Sequence, residues 1–220
     1  NDVFTMDKIL LGDVFIRGGS SSGTHVLEEG RPIGQFYGLV CNGIDENGRY
    51  IMVDKDGDGE ISDPADYDYI GSAQPKLTYG ITNTFRYKNF DLSFFLRGTI
   101  GNDILNATRM AYAQSGFLPG TNALDDPLTY TLSETPRFSN YYLEKGSFMR
   151  LDNLTLGYKI KALNGIRVYF TAQNLFVITK YKGLDPEVPM DSGDGLTPGV
   201  EPREFYPKAR TFSVGLNLNF

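Results

Sequence analysis

Residues 210–220 read RTFSVGLNLNF, and this stretch decides the fold. Phe212, Val214, Leu216, Leu218 and Phe220 alternate with Thr211, Ser213, Gly215, Asn217 and Asn219. Successive side chains of a strand point to opposite faces, so this is one apolar wall and one small polar wall. A soluble sandwich strand can carry the same pattern. Length separates the two cases, because about 9–11 tilted residues cross a bilayer core as a β-strand. A chain that stops on such a strand predicts that the strand closes something larger.

The alternation recurs upstream. Leu77, Tyr79, Ile81, Asn83, Phe85 and Tyr87 oppose Thr78, Gly80, Thr82, Thr84 and Arg86. Phe90, Leu92, Phe94, Leu96 and Ile100 oppose Asp91, Ser93, Arg97 and Thr99, with Phe95 as the exception. Leu154 to Ile160 and Ile166 to Ala172 repeat the pattern. With the last stretch, this predicts about five strands, each near the upper end of soluble strand lengths. The polar sides carry Arg86, Arg97, Lys159 and Arg167, which suit a wet lumen and suit a packed core poorly, since an unpaired buried charge is costly.

Lys88-Asn89 and Ala162 to Gly165 are tight turns, the second containing the hairpin signal Asn164-Gly165. Residues 101–146 and 181–208 are long excursions. Short, long, short, long is the connection rule of outer-membrane barrels. Aromatics near the strand ends (Tyr87, Phe90, Tyr141, Tyr142, Tyr158, Phe176, Tyr181, Phe205 and Tyr206) fit the interfacial girdles of such barrels, and also fit ordinary strand edges. The expected fold is all-β: the last strands, about five, of a large antiparallel transmembrane β-barrel with long extracellular loops, incomplete in this chain. Residues 1–76 would hold the end of a barrel strand and a long extracellular loop. Residues 77–220 would hold five transmembrane strands with loops at 101–146 and 181–208.

Residues 17–76 read as loop and surface structure. Gly18-Gly19-Ser20-Ser21-Ser22-Gly23 reads as flexible, with His25 solvated just beyond it. Residues 102–114 predict a short helix with Asn102 as N-cap and Ile104, Leu105, Thr108, Ala111 and Tyr112 on one side.

Composition narrows the function. Aromatics reach 13 %, all Tyr and Phe, and glycine contributes 25 residues, a mix that favours strands and turns. The net charge of −6 and the absence of a basic run argue against nucleic acid. One cysteine, Cys41, and one histidine build neither a disulfide framework nor a zinc cluster. No apolar run of about 18 residues predicts a transmembrane helix. Asn1-Asp2-Val3-Phe4 lacks the basic and apolar regions of a signal peptide, so an exported chain would have its beginning outside this sequence.

The sharpest local motif is Asp54-Lys55-Asp56-Gly57-Asp58-Gly59-Glu60, which fits the first half of a calcium-binding loop. Carboxylates at positions 1, 3 and 5 would face one hard cation, Gly59 permits the sharp turn, and Glu60 offers a backbone carbonyl. Position 12, where a bidentate Glu belongs, is Ala65; Asp63 and Asp66 are the substitutes at hand. Two readings stay open, a structural Ca²⁺ loop and an Asp-Gly turn without metal. The sequons at Asn106 and Asn153 are chance matches of a short pattern, the second inside a strand.

Several stretches in order resemble a known family. They are Gly30-Arg31-Pro32-Ile33-Gly34-Gln35-Phe36-Tyr37-Gly38, the Asp-Gly-Asp-Gly loop, Ile70-Gly71-Ser72-Ala73-Gln74-Pro75-Lys76-Leu77, Asn89-Phe90-Asp91-Leu92-Ser93, Gly98-Thr99-Ile100-Gly101-Asn102-Asp103, Asn174-Leu175-Phe176, Gly183-Leu184-Asp185-Pro186-Glu187 and Tyr206-Pro207-Lys208-Ala209-Arg210. From about Gly30 to Phe220 the chain resembles the C-terminal part of the SusC/RagA family of TonB-linked outer-membrane transporters. The resemblance implies residence in the bacterial outer membrane and uptake of oligosaccharides or peptides. It implies a SusD-like surface lipoprotein as partner, energy from the TonB complex, and an N-terminal plug with further barrel strands outside this chain. It also implies that the aromatic strand with Phe212 and Phe220 is the signal read by the barrel-assembly machinery. The contrasting readings are a secreted soluble β-rich binding module with a Ca²⁺ loop, and a hydrolase using Asp185 and Glu187.

Overall fold

A computed structural model of the chain describes residues 8–16, 19–116, 118–120, 122–161, 166–188, 195–202 and 206–218. The chain divides into two compact units.

The first unit comprises Asn1–Gln74, Asn102–Lys145 and Tyr181–Phe205. It holds strands β1 (Ile9–Ile16), β2 (Gly19–Leu27), β3 (Gln35–Leu39), β4 (Cys41–Ile44), β5 (Tyr50–Met52) and β6 (Tyr67–Ser72). β1, β2, β3 and β6 form one antiparallel sheet, and β4 pairs with β5. The reading of residues 17–76 as loop is therefore corrected. The Gly-Ser stretch runs as β2, where ladder hydrogen bonds to β1 replace the apolar period that strand recognition needs. His25 is corrected too. It is fully buried, with Nδ1 2.9 Å from the Thr24 hydroxyl and Nε2 2.9 Å from the Pro198 carbonyl, and its ring lies 4.4 Å from that of Phe36. Both ring nitrogens are satisfied, so burial carries no penalty.

The predicted helix at 102–114 begins later. Asp103–Leu105 form β9, which pairs with β10 (Leu143–Lys145). Helix α1 (Ala107–Tyr112) starts after Asn106, whose side chain accepts the Arg109 amide at 2.8 Å; Asn106 rather than Asn102 is the cap. Helix α2 (Pro127–Thr131) has Asp126 as cap and Pro127 at its first position, where the missing N–H costs nothing. Arg109 Nε donates to Asp126 at 2.9 Å and ties the two helix starts together. Phe36, Leu105, Met110, Leu128, Phe138 and Tyr142 form the core of this unit. Tyr142 is buried in that core and Tyr181 in a smaller cluster with Ile104 and Val188, so they are not interfacial girdle residues. Cys41 is buried, its thiol donating to the Gly43 carbonyl at 3.1 Å.

The second unit comprises Pro75–Gly101, Gly146–Lys180 and Tyr206–Phe220. Its strands are β7 (Leu77–Tyr87), β8 (Phe90–Ile100), β11 (Phe148–Ile160), β12 (Ile166–Thr179) and β13 (Thr211–Asn217). They form one five-stranded antiparallel sheet in the order β13-β12-β11-β8-β7. β7 and β8 join through Lys88, whose φ of 53° matches a tight hairpin. The other expected turn, Ala162 to Gly165, lies outside the described residues, as do Phe205 and Phe220. β11 and β12 are longer than the sequence pattern suggests. Asp152 is an extra residue between Leu151 and Asn153, and this bulge shifts the alternation by one.

Register aligns the apolar walls. Phe85, Leu92, Leu156, Phe170 and Val214 are successive cross-strand partners in one row. Tyr87, Phe90, Tyr158, Val168 and Leu216 form the next row toward the tight turn. This face stays open to the surroundings: Ile81 is 52 % exposed, Phe85 53 % and Val214 77 %. An apolar patch continuous over five strands marks a surface made to meet lipid or another protein. No closed barrel occurs among the described residues, and β7 and β13 are the open edges of the sheet.

Candidate functional site

The polar face of the five-stranded sheet gathers all four cations expected there. The same register that aligns the apolar rows places Arg86, Asp91, Gly157, Tyr169 and Gly215 in one row of the opposite face. Thr84, Ser93, Thr155, Thr171 and Ser213 form the adjacent row, with Thr155 and Thr171 hydroxyls 3.0 Å apart.

Two of the cations are neutralised within the sheet. Arg167 donates to Asp91 through Nε at 2.9 Å and through an Nη at 2.5 Å. The bond skips a strand: Arg167 is on β12, Asp91 on β8, and Gly157 of β11 lies between them. A Cβ on Gly157 would stand 2.5 Å from Arg167 Nε and from an Asp91 oxygen, so only glycine leaves room for the bridge. Arg97 donates to Asp152, the bulge residue, at 3.1 Å. Asp91, Asp152 and Lys88 were missed as members of this group. Gly157 in mid-strand was the available signal, since such a glycine marks the close approach of another group.

The other two cations differ. Arg86 stands opposite Asp91, and Lys159 stands directly opposite Arg167. Together with Lys88, Asn89 and Asn217 they line a cleft at the tight-turn end of this face.

In the first unit, Asp54, Asp56 and Asp58 are exposed, and one carboxylate oxygen from each lies within 4.8 Å of the others. The loop is wound by its own side chains. Asp54 accepts the Gly57 and Gly59 amides at 2.6 and 2.9 Å, Asp56 accepts the Asp58 amide, and Asp58 accepts the Glu60 amide. Hard carboxylate oxygens at alternate positions are the donor set that Ca²⁺ takes, so these three residues fit the ion. The two substitutes for position 12 are engaged elsewhere. Asp63 pairs with Arg137 at 2.7 Å. Asp66 is buried and accepts the amides of Lys55 at 2.6 Å and Ser62 at 2.8 Å. Those amide bonds, led by that from Ser62, hold the Asp66 carboxyl below its ordinary value.

Phe212 lies on the apolar face of β13, 58 % exposed, with its ring stacked on Phe170 at 6.1 Å. Asp185 and Glu187 form a local turn, Asp185 being buried and accepting the Glu187 amide at 2.9 Å.

No protein-family model matches the chain. Individual proteins do. TonB-dependent receptor P3 of Formosa agariphila is 34 % identical over 90 % of this chain, and TonB-dependent receptor SusC of Bacteroides thetaiotaomicron is 36 % identical over 95 %. The chain spans only 23 % and 21 % of the length of these relatives. Among solved structures, the RagAB peptide transporter matches 97 % of the chain with a TM-score of 0.72 and 25 % identity, and the RagAB peptide importer in its closed-closed state matches with a TM-score of 0.71. In those structures the chain covers 25 % of the matched chain. The five strands are thus a section of a transmembrane β-barrel wall, and the chain belongs to the SusC/RagA family of TonB-dependent receptors.

Proposed function

We propose that this chain is the C-terminal barrel section of an outer-membrane transporter that takes up oligosaccharides or peptides with energy from the TonB complex. The observation that carries the proposal is the apolar row Phe85-Leu92-Leu156-Phe170-Val214, exposed across the whole sheet and backed by a hydroxyl-rich, charged opposite face. A lipid-facing barrel wall has this two-sided chemistry. The open edges of β7 and β13 support it, because long edge strands without a protecting proline invite further strands. In this reading the plug and remaining strands lie elsewhere in the same polypeptide, and the strands form a rigid wall for substrate and lipoprotein contacts made by the loops. The RagAB neighbours, described as peptide importers, favour peptide as substrate; the SusC relative favours a SusD-like surface lipoprotein as partner.

Within the same reading, Asp54, Asp56 and Asp58 hold a structural Ca²⁺ that stiffens an external loop, with the Glu60 carbonyl completing the near side. Phe212 and Phe220 present the terminal strand to the barrel-assembly machinery, and Arg86, Arg97, Lys159 and Arg167 face the lumen.

The test is made on the full-length protein in its native host. It should fractionate with the outer membrane, need detergent for extraction, and co-purify with a surface lipoprotein. Cells lacking the gene should lose uptake of either a labelled oligopeptide pool or a labelled oligosaccharide pool. Recovery in the soluble fraction without detergent would overturn the proposal in favour of a secreted binding module.

A further inference from the structure

We infer that the apolar face of the sheet, where β12 and β13 meet the long connection 181–208, is the seat of a phosphate-bearing membrane lipid. The inference rests on the reading that this face meets a bilayer.

Charge in the chain is segregated. The second unit, residues 75–101, 146–180 and 206–220, carries eleven Lys and Arg but only two acidic side chains, Asp91 and Asp152, although the chain as a whole stands at −6. Both acids are engaged, Asp91 by Arg167 and Asp152 by Arg97. No acidic side chain of this unit is left for its other cations.

At the long-connection end the apolar alternation runs on into two of those cations. On β12, Phe176 and Ile178 alternate toward Lys180. On the neighbouring β13, Val214 and Phe212 alternate toward Arg210, with Lys208 two residues further. The Asn174 side chain donates to the Ala209 carbonyl at 3.1 Å and holds the approach to β13 against β12. Lys180 and Arg210 are exposed, and among the described residues no carboxylate pairs with either. Tyr206, just before them in the same segment, is 86 % exposed.

The continuity of apolar surface and charge chooses the occupant. A free anion would meet the cations and leave Phe176, Ile178 and Phe212 bare. An acidic polypeptide would have to lie against a face that the bilayer covers. A lipid with a phosphate in its headgroup meets both: its acyl chains lie on the apolar rows, and its phosphate accepts charge-assisted hydrogen bonds from Lys180 and Arg210. Depth agrees. β7 and β8 have 11 residues each, about 34 Å along the strand and roughly 25 Å when tilted, which is the height of the apolar band of an outer-membrane barrel. Charges just beyond the strand ends therefore stand at headgroup level, where the amphipathic ring of Tyr206 also belongs. Long connections are external in such barrels, so the lipid belongs to the outer leaflet.

The experiment uses the full-length protein reconstituted in phosphatidylcholine bilayers, with either of two photoactivatable probes. One is phosphatidic acid, and the other is diacylglycerol with the same acyl chains and no phosphate. After irradiation, labelled peptides are mapped by mass spectrometry. Phosphatidic acid should label residues 174–180 and 206–214 about fivefold more than diacylglycerol does. The preference should vanish in the Lys180→Gln, Arg210→Gln double variant and persist in the charge-preserving Lys180→Arg, Arg210→Lys variant, which separates loss of charge from misfolding. Excess inorganic phosphate should leave it in place. Equal labelling by the two probes, a preference unmoved by the double variant, a preference centred elsewhere on the sheet, or displacement by inorganic phosphate would each overturn the inference. Recovery of the protein in the soluble fraction without detergent marks failure of the transporter reading, whereas a membrane-bound protein labelled equally by both probes marks failure of the lipid seat alone.

Discussion

Arg167 clasps Asp91 across an intervening strand, over the bare backbone of Gly157. The bridge ties β8, β11 and β12 together beyond what backbone pairing does. Gly157→Ala puts a methyl where the two side chains meet, and overpacking of this kind costs about 1–3 kcal/mol. The full-length barrel carrying Gly157→Ala should unfold at lower temperature in a heat-shift gel assay. Asp91→Asn with Arg167→Gln should lessen the extra harm of the alanine, since the clash then loses its target. An additive triple variant would refute the coupling.

Phe138 is 1 % exposed at the centre of the first unit's core, against Phe36 and Tyr142. Phe138→Ala should cost about 3–5 kcal/mol within that unit. The check is proteolysis of the folded full-length protein: new cleavage should arise within residues 31–73 and 102–145, while the five-stranded sheet stays protected.

Asp66 is held below the ordinary carboxyl value of 3.8, first by the Ser62 amide and then by that of Lys55. A group with a lowered folded value contributes its full stability above the unfolded value and loses it as pH falls through the lowered one. Segment 54–66 should therefore keep its amide protection at pH 5 and above, and lose it as pH falls below 3.8 through the lowered value. Asp66→Asn has one acceptor oxygen where the carboxylate has two, so it should open the segment at neutral pH. Equal protection at both extremes, each taken relative to the intrinsic exchange rate at that pH, would refute this role.

The acidic loop offers a gain-of-function test. If Asp54, Asp56 and Asp58 hold Ca²⁺, then Ala65→Glu restores the bidentate ligand and should tighten binding on the order of tenfold, because affinity in such loops follows ligand charge. Calorimetric titration of the full-length protein reads both constants. No heat of binding in either protein near neutral pH would reject the metal.

The terminal aromatic gives a further outcome. Deleting Phe220 from the full-length protein should lower the fraction assembled in the outer membrane more than it lowers substrate affinity of the molecules that do assemble. Quantitative fractionation and a binding assay on the assembled pool separate the two.

The strands were legible where the period of two ran unbroken. Leu77 to Tyr87 and Phe90 to Ile100 are observed at the expected bounds. The start of β11 was hidden by Asp152, since one inserted residue puts Leu151 and Leu154 on the same face with two residues between them. Arg97 was readable as a polar-face cation, but its partner was that same bulge residue. The strands of residues 9–72 carried little signal, because β2 begins with glycine and serine and its register comes from pairing rather than from apolar alternation. His25 could not be placed from local sequence at all, since its acceptor on Pro198 stands 173 positions away.

That last distance bears on the order of assembly. The Pro198 carbonyl that accepts from His25, and the Gly199 carbonyl that accepts the Leu105 amide at 2.8 Å, come from the last segment of the first unit. Between His25 and Pro198 the chain must lay down β7, β8, β11 and β12. The His25 and Leu105 hydrogen bonds to this segment therefore form only after both hairpins of the other unit have been made, and they pay their loop-closure entropy only then. A nascent chain halted after β12 would hold a buried imidazole without its acceptor. The first unit thus holds all of these hydrogen bonds only once the segment carrying Pro198 and Gly199 has joined it.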